Sequence, residues 1–300
     1  MTKQIKGILT ALLTPFDTAG GLDEVALRAV VDRSIDGGVD GVVACGSTGE
    51  FTALSSDERR RVVEIVVDQA GGRVTVVAQT GATSTAEAIR LSRHAESVGA
   101  DVVMLVAPYY EPLSQDLMAD YMRSVAESIS VPVMLYNNPS ATGVNLLPET
   151  VGALARQVDN IHYVKNTTAD MAQTAELIHN YQDVVLTIGG WDTLLQAALV
   201  EGAAAMMVGT ANLIPDAIVE VWQAVQSGDL QRARTSWNRV FPVMDAVMQG
   251  PYISTVKAVL GAVGLPVGVP REPAAVADAA ATARIAGLVA AANRHAGVHQ

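Results

Sequence analysis

Lys165 is the residue whose type and setting most directly suggest chemistry. It closes the apolar run Ile161-His162-Tyr163-Val164, whereas the other three lysines of the chain, Lys3, Lys6 and Lys257, fall outside every strand-like segment. An amine at the end of a buried strand is partly desolvated, which favours the neutral form that can attack a carbonyl. The same position also suits a lysine that reaches to the rim or pairs with Asp170 or Asp192. Position alone leaves both readings open.

Other strand ends add candidate groups. Gly46-Ser47-Thr48-Gly49-Glu50 combines small residues, two hydroxyls and closely spaced backbone N–H groups, a set suited to a carboxylate, although such turns are also common as purely structural devices. Tyr136, before Asn137-Asn138-Pro139, ends a buried run, so its hydroxyl needs either a structural partner or a role in moving protons. Asn138 precedes a proline and reads as turn chemistry. Tyr109 and Tyr110 follow Pro108 and fit ordinary rim aromatics. Cys45 has no histidine in a nearby strand end and reads as a small core residue. The five histidines, at 94, 162, 179, 295 and 299, lack metal-ligand spacing, so no metal is expected.

These groups must be positioned by an alternation of short apolar strands and longer segments of helical period. Eight strands are expected at 7–13, 41–45, 74–79, 102–106, 131–136, 162–165, 184–188 and 204–208. Their nearly continuous apolar character is that of a parallel sheet covered on both faces. Ser55 with Glu58, and Ser84 with Glu87, have capping-box spacing and mark helix starts. Eight strand–helix pairs over about 225 residues suit a closed (β/α)8 TIM barrel with a C-terminal helical extension. A doubly wound open sheet is the alternative, but no G-x-G-x-x-G follows the first strand. The expected division is a barrel over 1–226 and a helical region over 227–300, with helices at 229–248, 253–263 and 273–295, packed on the barrel because so short a tail makes no core alone. In such a barrel the site lies at the C-terminal ends of the strands.

Composition narrows the function classes. Half of the 300 residues are hydrophobic and 17% charged, with a net charge of −11. That balance speaks against nucleic acid or an anionic membrane as partner, since both are bound through clustered Lys and Arg. The one basic cluster, Arg59 to Arg61, follows Asp57 and Glu58 and reads as a solvated helix face. Apolar runs fall well short of the roughly 20 residues that span a bilayer, and residues 1–6 have no secretory pattern. One cysteine excludes an intramolecular disulfide, and a cytoplasmic protein is expected.

Taken in order, Gly46-Ser47-Thr48-Gly49-Glu50, Pro108-Tyr109-Tyr110, Tyr136-Asn137-Asn138-Pro139 with Thr142-Gly143, and Lys165 resemble the dihydrodipicolinate synthase and N-acetylneuraminate lyase family. The opening Leu13-Thr14-Pro15-Phe16 and the tail from Thr255-Val256-Lys257 to Leu265-Pro266 are similar to the same family, so the resemblance covers nearly the whole chain. It implies a cofactor-free class I mechanism in which Lys165 forms a Schiff base with pyruvate or another 2-oxo acid, and the protonated imine serves as electron sink. By the same resemblance Ser47 and Thr48 hold the 2-oxo acid carboxylate and Tyr136 shuttles protons. The resemblance further implies that Tyr110 reaches into a neighbouring subunit's site to complete a hydroxyl relay with Thr48 and Tyr136, in a homodimer often paired into a homotetramer.

Departures from the family pattern bear on the second substrate. Ala141 stands where dihydrodipicolinate synthases typically carry an arginine that grips the second substrate's carboxylate, and losing such a grip costs several kcal/mol of binding. The resemblance thus implies an aldolase other than dihydrodipicolinate synthase. Thr167 and Asp192, within Gly190-Trp191-Asp192, resemble the sialic-acid lyases. Thr193 and Gly209, however, replace an acidic residue and a serine of those enzymes. Thr167, Asp192, Gly190 and Gly209 are therefore expected to line the pocket for an aldehyde other than the sialic-acid product. The alternatives are a dehydratase or deaminase using the same imine, and a ligand-binding homologue without turnover.

Overall fold

The computed structural model describes residues 4–293. Lys3, His295, His299 and the end of the expected helix 273–295 lie outside the described residues. Eight strands, β1 (Gly7–Ala11), β2 (Gly41–Ala44), β3 (Thr75–Gln79), β4 (Val102–Val106), β5 (Val133–Asn137), β6 (Ile161–Asn166), β7 (Leu186–Gly189) and β8 (Ala205–Val208), follow one another in chain order around a closed barrel. The open-sheet alternative is thereby excluded. No helix among the described residues is long and apolar enough to cross a membrane.

Strand ends move from the expected positions for local reasons. β5 begins at Val133, because Pro132 has no N–H to give a ladder. β7 begins at Leu186, because Val184 and Val185 donate their N–H groups to Tyr181 O and close the preceding helix instead. Ser55 accepts from Glu58 N while Glu58 accepts from Ser55 N, the reciprocal cap read from the sequence, and Ser84 accepts from Glu87 N.

Residues 4–6 with Thr75–Met207 form one compact unit. Its strands β3 to β7 are almost wholly buried, and the paired strands run parallel. One irregularity sets their phase. Val133 pairs with Ile161 but Met134 pairs with Tyr163, so His162 is an extra residue on β6, exposed to solvent.

Residues 7–74 with 208–293 form the second unit. The tail supplies the helices Leu230–Met248, Tyr252–Ala262 and Ala279–Asn293. The last starts six residues later than expected, because Asp278 accepts from Ala281 N and caps it there, leaving 273–278 irregular. Arg60 and Arg61 occupy the solvated face as expected, paired with Asp57, Glu24 and Glu64. Arg59 does not: it is buried with its guanidinium 5.3 Å from the Phe51 ring centroid, because the turn after β2 folds Phe51 beneath it.

Asn212, buried just after β8, ties strand ends together within this unit. Its amide donates to Ala11 O and Gly209 O, and its carbonyl accepts from Leu13 N. Replacing Asn212 with Ala removes three buried side-chain hydrogen bonds to backbone groups, with Gly209 O keeping only the N–H of residue 212, and is expected to destabilise the protein by about 3 kcal/mol. Chemical denaturation of the variant beside the parent chain measures this.

Candidate active site

Residue pairing across β5 and β6 decides which side chains meet at the lysine. Side chains alternate along a strand, and residues in register on neighbouring parallel strands point to the same face. Tyr136 is in register with Lys165, and Asn137 with Asn166. Asn137 and Asn166 face the helices: Asn137 Nδ2 donates to Asn166 Oδ1 at 3.0 Å, and Asn166 Nδ2 to Thr174 Oγ1 at 3.1 Å in the helix Met171–Tyr181. Tyr136, Asn138, Lys165 and Thr167 therefore share the opposite face.

On that face Lys165 is 6% exposed and its Nζ lies 4.2 Å from the centroid of the Tyr136 ring. Thr167 and Gly190 are brought to the same place. A Cβ on Gly190 would lie 2.0 Å from Thr167 Oγ1 and 2.7 Å from Lys165 Cε, so only glycine lets the β7 end approach the lysine side chain. Thr167 Oγ1 is buried without a hydrogen-bond partner. Asp192 is buried at the start of the turn after β7.

Asn138 is not merely turn chemistry. It is buried, caps nothing with its side chain, and donates from Nδ2 to Tyr136 Oη at 3.1 Å. No local sequence signal distinguishes this from an ordinary residue before proline; the two-residue spacing from Tyr136 was the available clue. Tyr110, by contrast, is 87% exposed on its own chain.

In the second unit the Gly46 to Gly49 turn follows β2 between two non-glycine residues of left-handed backbone, Cys45 and Glu50, both at φ 56°. Such geometry costs about 1–2 kcal/mol per residue and persists only where the surroundings enforce it. Gly49 N donates to Gly46 O and Glu50 N to Ser47 O, so those two N–H groups are spent closing the turn and cannot serve an anion. Thr14 Oγ1 donates to Gly49 O at 2.7 Å and braces it. Ser47 is half-buried and Thr48 is buried. Cys45 is a core thiol as expected: burial pushes it up to about 12, leaving no thiolate for nucleophilic work near neutrality.

Glu50 is the residue the sequence reading passed over. Its carboxylate is 5% exposed and lies 2.5 Å from Nζ of Lys257, itself 1% exposed. Arg271 N donates to Glu50 Oε2 at 2.9 Å, and the Lys257 ammonium sits 4.1 Å from the Phe16 ring centroid. Burial pushes the Lys257 ammonium down, and the Glu50 carboxylate opposes that shift. Lys257 was visible as a charge set among Thr255, Val256, Ala258, Val259 and Leu260, a placement that demands a buried partner.

Gly209 lies at the end of β8, where a Cβ would come within 2.6 Å of Tyr252 Oη and 3.0 Å of Thr48 Oγ1. The hydroxyl of Tyr252, from the first turn of Tyr252–Ala262, thus fills the place a side chain at 209 would take beside Thr48. Nothing in the local sequence singles out Tyr252. Among the described residues no group of three or more His, Cys, Asp or Glu side chains is placed to hold a metal ion.

Comparison with known proteins gives one family. The family model described as dihydrodipicolinate synthetase family matches residues 4–292. A 4-hydroxy-tetrahydrodipicolinate synthase from Methanopyrus kandleri is 40% identical over 271 residues, 90% of each chain. A dihydrodipicolinate synthase from Acinetobacter baumannii, solved complexed with pyruvate, superposes with a TM-score of 0.92 at 31% identity, covering 97% of this chain and 99% of that one. A prophage protein of the dihydrodipicolinic acid synthase family from E. coli K12, also in complex with pyruvate, gives a TM-score of 0.92 at 30% identity and the same coverage. The expectation drawn from Ala141, that this chain is not a dihydrodipicolinate synthase, finds no support among these relatives.

The buried pair under the turn makes a direct prediction. Lys257→Met strands the Glu50 carboxylate in the interior and is expected to destabilise the protein by about 3–5 kcal/mol, most of it recovered in the double variant Glu50→Gln/Lys257→Met. A double-mutant cycle by denaturant unfolding measures the coupling.

Proposed function

Because this chain belongs to the dihydrodipicolinate synthetase family of class I pyruvate-dependent aldolases, we propose that Lys165 captures the ketone of pyruvate, or of a similar 2-oxo acid, as a Schiff base, and that the enzyme forms or breaks the carbon–carbon bond beside it. The observation that carries this reading is the buried Lys165 amine in register with Tyr136, 4.2 Å from its ring.

The steps follow from those two groups. Neutral Nζ adds to the ketone carbon, Tyr136 gives its hydroxyl proton to the former ketone oxygen, and water departs, leaving an iminium and a phenolate. The phenolate takes a proton from C3, and the electrons of that C–H bond move toward the iminium nitrogen to give an enamine. The enamine carbon attacks the aldehyde carbon, and the resulting alkoxide takes the proton Tyr136 has regained. Water then releases the product from the imine, and both Lys165 and Tyr136 return to their starting states. Cleavage is the reverse.

Ser47 and Thr48 hold the 2-oxo acid carboxylate through their hydroxyls. Thr167, whose buried hydroxyl lacks a partner, and Asp192 bind the aldehyde portion, while Gly190 and Gly209 contribute by backbone and by the room they leave. Tyr110 serves the site of a second copy, a role its exposure favours, within a homodimer or homotetramer. The cytoplasm is the setting we infer from the resemblance. Position 141 offers only a methyl, so the second substrate is an aldehyde recognised without a guanidinium there, which favours cleavage of 4-hydroxy-2-oxo acids. Formation of 4-hydroxy-tetrahydrodipicolinate is the second reading, favoured by the name of the relative at 40% identity.

Incubation with pyruvate and borohydride is expected to fix a reduced adduct on Lys165, detected by peptide mass spectrometry and absent from Lys165→Ala. An unmodified Lys165 peptide would sink the Schiff-base reading. Pyruvate release from a panel of 4-hydroxy-2-oxo acids, run beside an assay for 4-hydroxy-tetrahydrodipicolinate, separates the two readings of the second substrate.

A further inference from the structure

We propose that Asn138 is a positioning residue for Tyr136: its amide N–H fixes the direction in which the phenol gives up its proton and stabilises the phenolate left behind. The proposal rests on the reading of Tyr136 as the proton carrier.

Asparagine at the residue before a short helix ordinarily spends its side chain on capping. Asn138 does not, although it holds the cap position of the turn Pro139–Thr142. Its side chain is turned back along the strand instead. Ser140 Oγ donates to Asn138 Oδ1 at 2.9 Å, and Asn138 Nδ2 donates to Tyr136 Oη at 3.1 Å. The serine hydroxyl at the oxygen end of the amide sets which end faces the tyrosine. Two residues apart on β5 and its continuation, Tyr136 and Asn138 lie on the face that also carries Lys165.

A phenol has one proton to donate and lone pairs to accept with. An amide donor on Oη takes part of that accepting capacity, so the O–H must point elsewhere, and it cannot be turned toward Asn138. When the O–H bond breaks, its electron pair stays on Oη and the same N–H becomes a donor to an anion, a stronger interaction than the one to the neutral phenol. Hydrogen bonding to the charged form favours ionisation. A merely structural amide, present to keep a buried hydroxyl partnered, would have none of these consequences for proton transfer.

Three variants decide the matter. Asn138→Leu removes the donor at similar size, Asn138→Asp keeps the acceptor for Ser140 but offers Oη no N–H, and Tyr136→Phe removes the proton carrier. Each is tested for borohydride trapping of pyruvate on Lys165 and, by NMR, for exchange of pyruvate C3 hydrogens with deuterated solvent across pH. Both Asn138 variants are expected to retain the Lys165 adduct and the pyruvate KM, to exchange about tenfold more slowly, and to move the rising limb of the pH profile to higher pH, since the phenolate has lost a stabilising donor. Exchange at the parent rate with an unshifted profile in both, beside a slow Tyr136→Phe, would overturn the role of Asn138 alone. Full-rate exchange by Tyr136→Phe would overturn the proton-carrier reading and this proposal with it. If one Asn138 variant fails to fold, the other carries the same comparison.

Discussion

One extra residue in β6 decides which side chains Lys165 meets. With His162 displaced to solvent, Tyr163 rather than His162 pairs with Met134, and two residues later Lys165 falls beside Tyr136. Because side chains alternate with a period of two, an unbroken register would put Val164 opposite Tyr136 and turn Lys165 to the helix side, where Asn166 now bonds Thr174. A bulge is thus the local irregularity that brings the Lys165 amine beside the Tyr136 ring. It also explains two polar layers in one strand pair: Asn137 and Asn166 knit the sheet to its helices, while Tyr136, Asn138 and Lys165 face the other way.

The turn that carries Ser47 and Thr48 obeys a different constraint. Two non-glycine residues at positive φ make it unfavourable in isolation, so something outside the turn must hold it. Glu50 supplies the attachment, and its partners come from both ends of its unit: Lys257 and Arg271 from the C-terminal region, with Phe16 lying 4.1 Å from the Lys257 ammonium and 4.3 Å from the Arg271 guanidinium carbon. A charge pair so deeply buried gains little net stability, but breaking it is expensive, and that asymmetry makes it a good device for fixing geometry. The helical tail therefore bears on the turn that carries Ser47 and Thr48.

Glycine works at the site by what it omits. Gly190 allows Lys165 Cε and Thr167 to close on the β7 end, and Gly209 makes room for Tyr252 beside Thr48. The second case revises the meaning of a departure from the sialic-acid lyases. A missing serine at 209 is not simply a lost contact, since a different hydroxyl from a distant helix occupies that space. Residue-by-residue comparison at 209 has to be made together with the neighbours that fill the space.

Periodicity and composition were enough for the eight strands, the parallel arrangement and the capping of the main helices, because those features depend on neighbours within a few residues. Lys165, Thr48 and Tyr136 were also legible, as polar groups at the ends of apolar runs. What escaped the sequence were relations between distant residues. Asn138 looks like any asparagine before proline until Ser140 and Tyr136 are seen at its two ends. Lys257 looks like a tail lysine until Glu50, more than two hundred residues earlier, is found against it. Strand ends shifted where Pro132 lacked an N–H or where a helix claimed the residues first. The sequence by itself determined which groups stand at the ends of strands; the tertiary structure decided which of them meet, since register and long-range burial are set by packing between segments rather than within them.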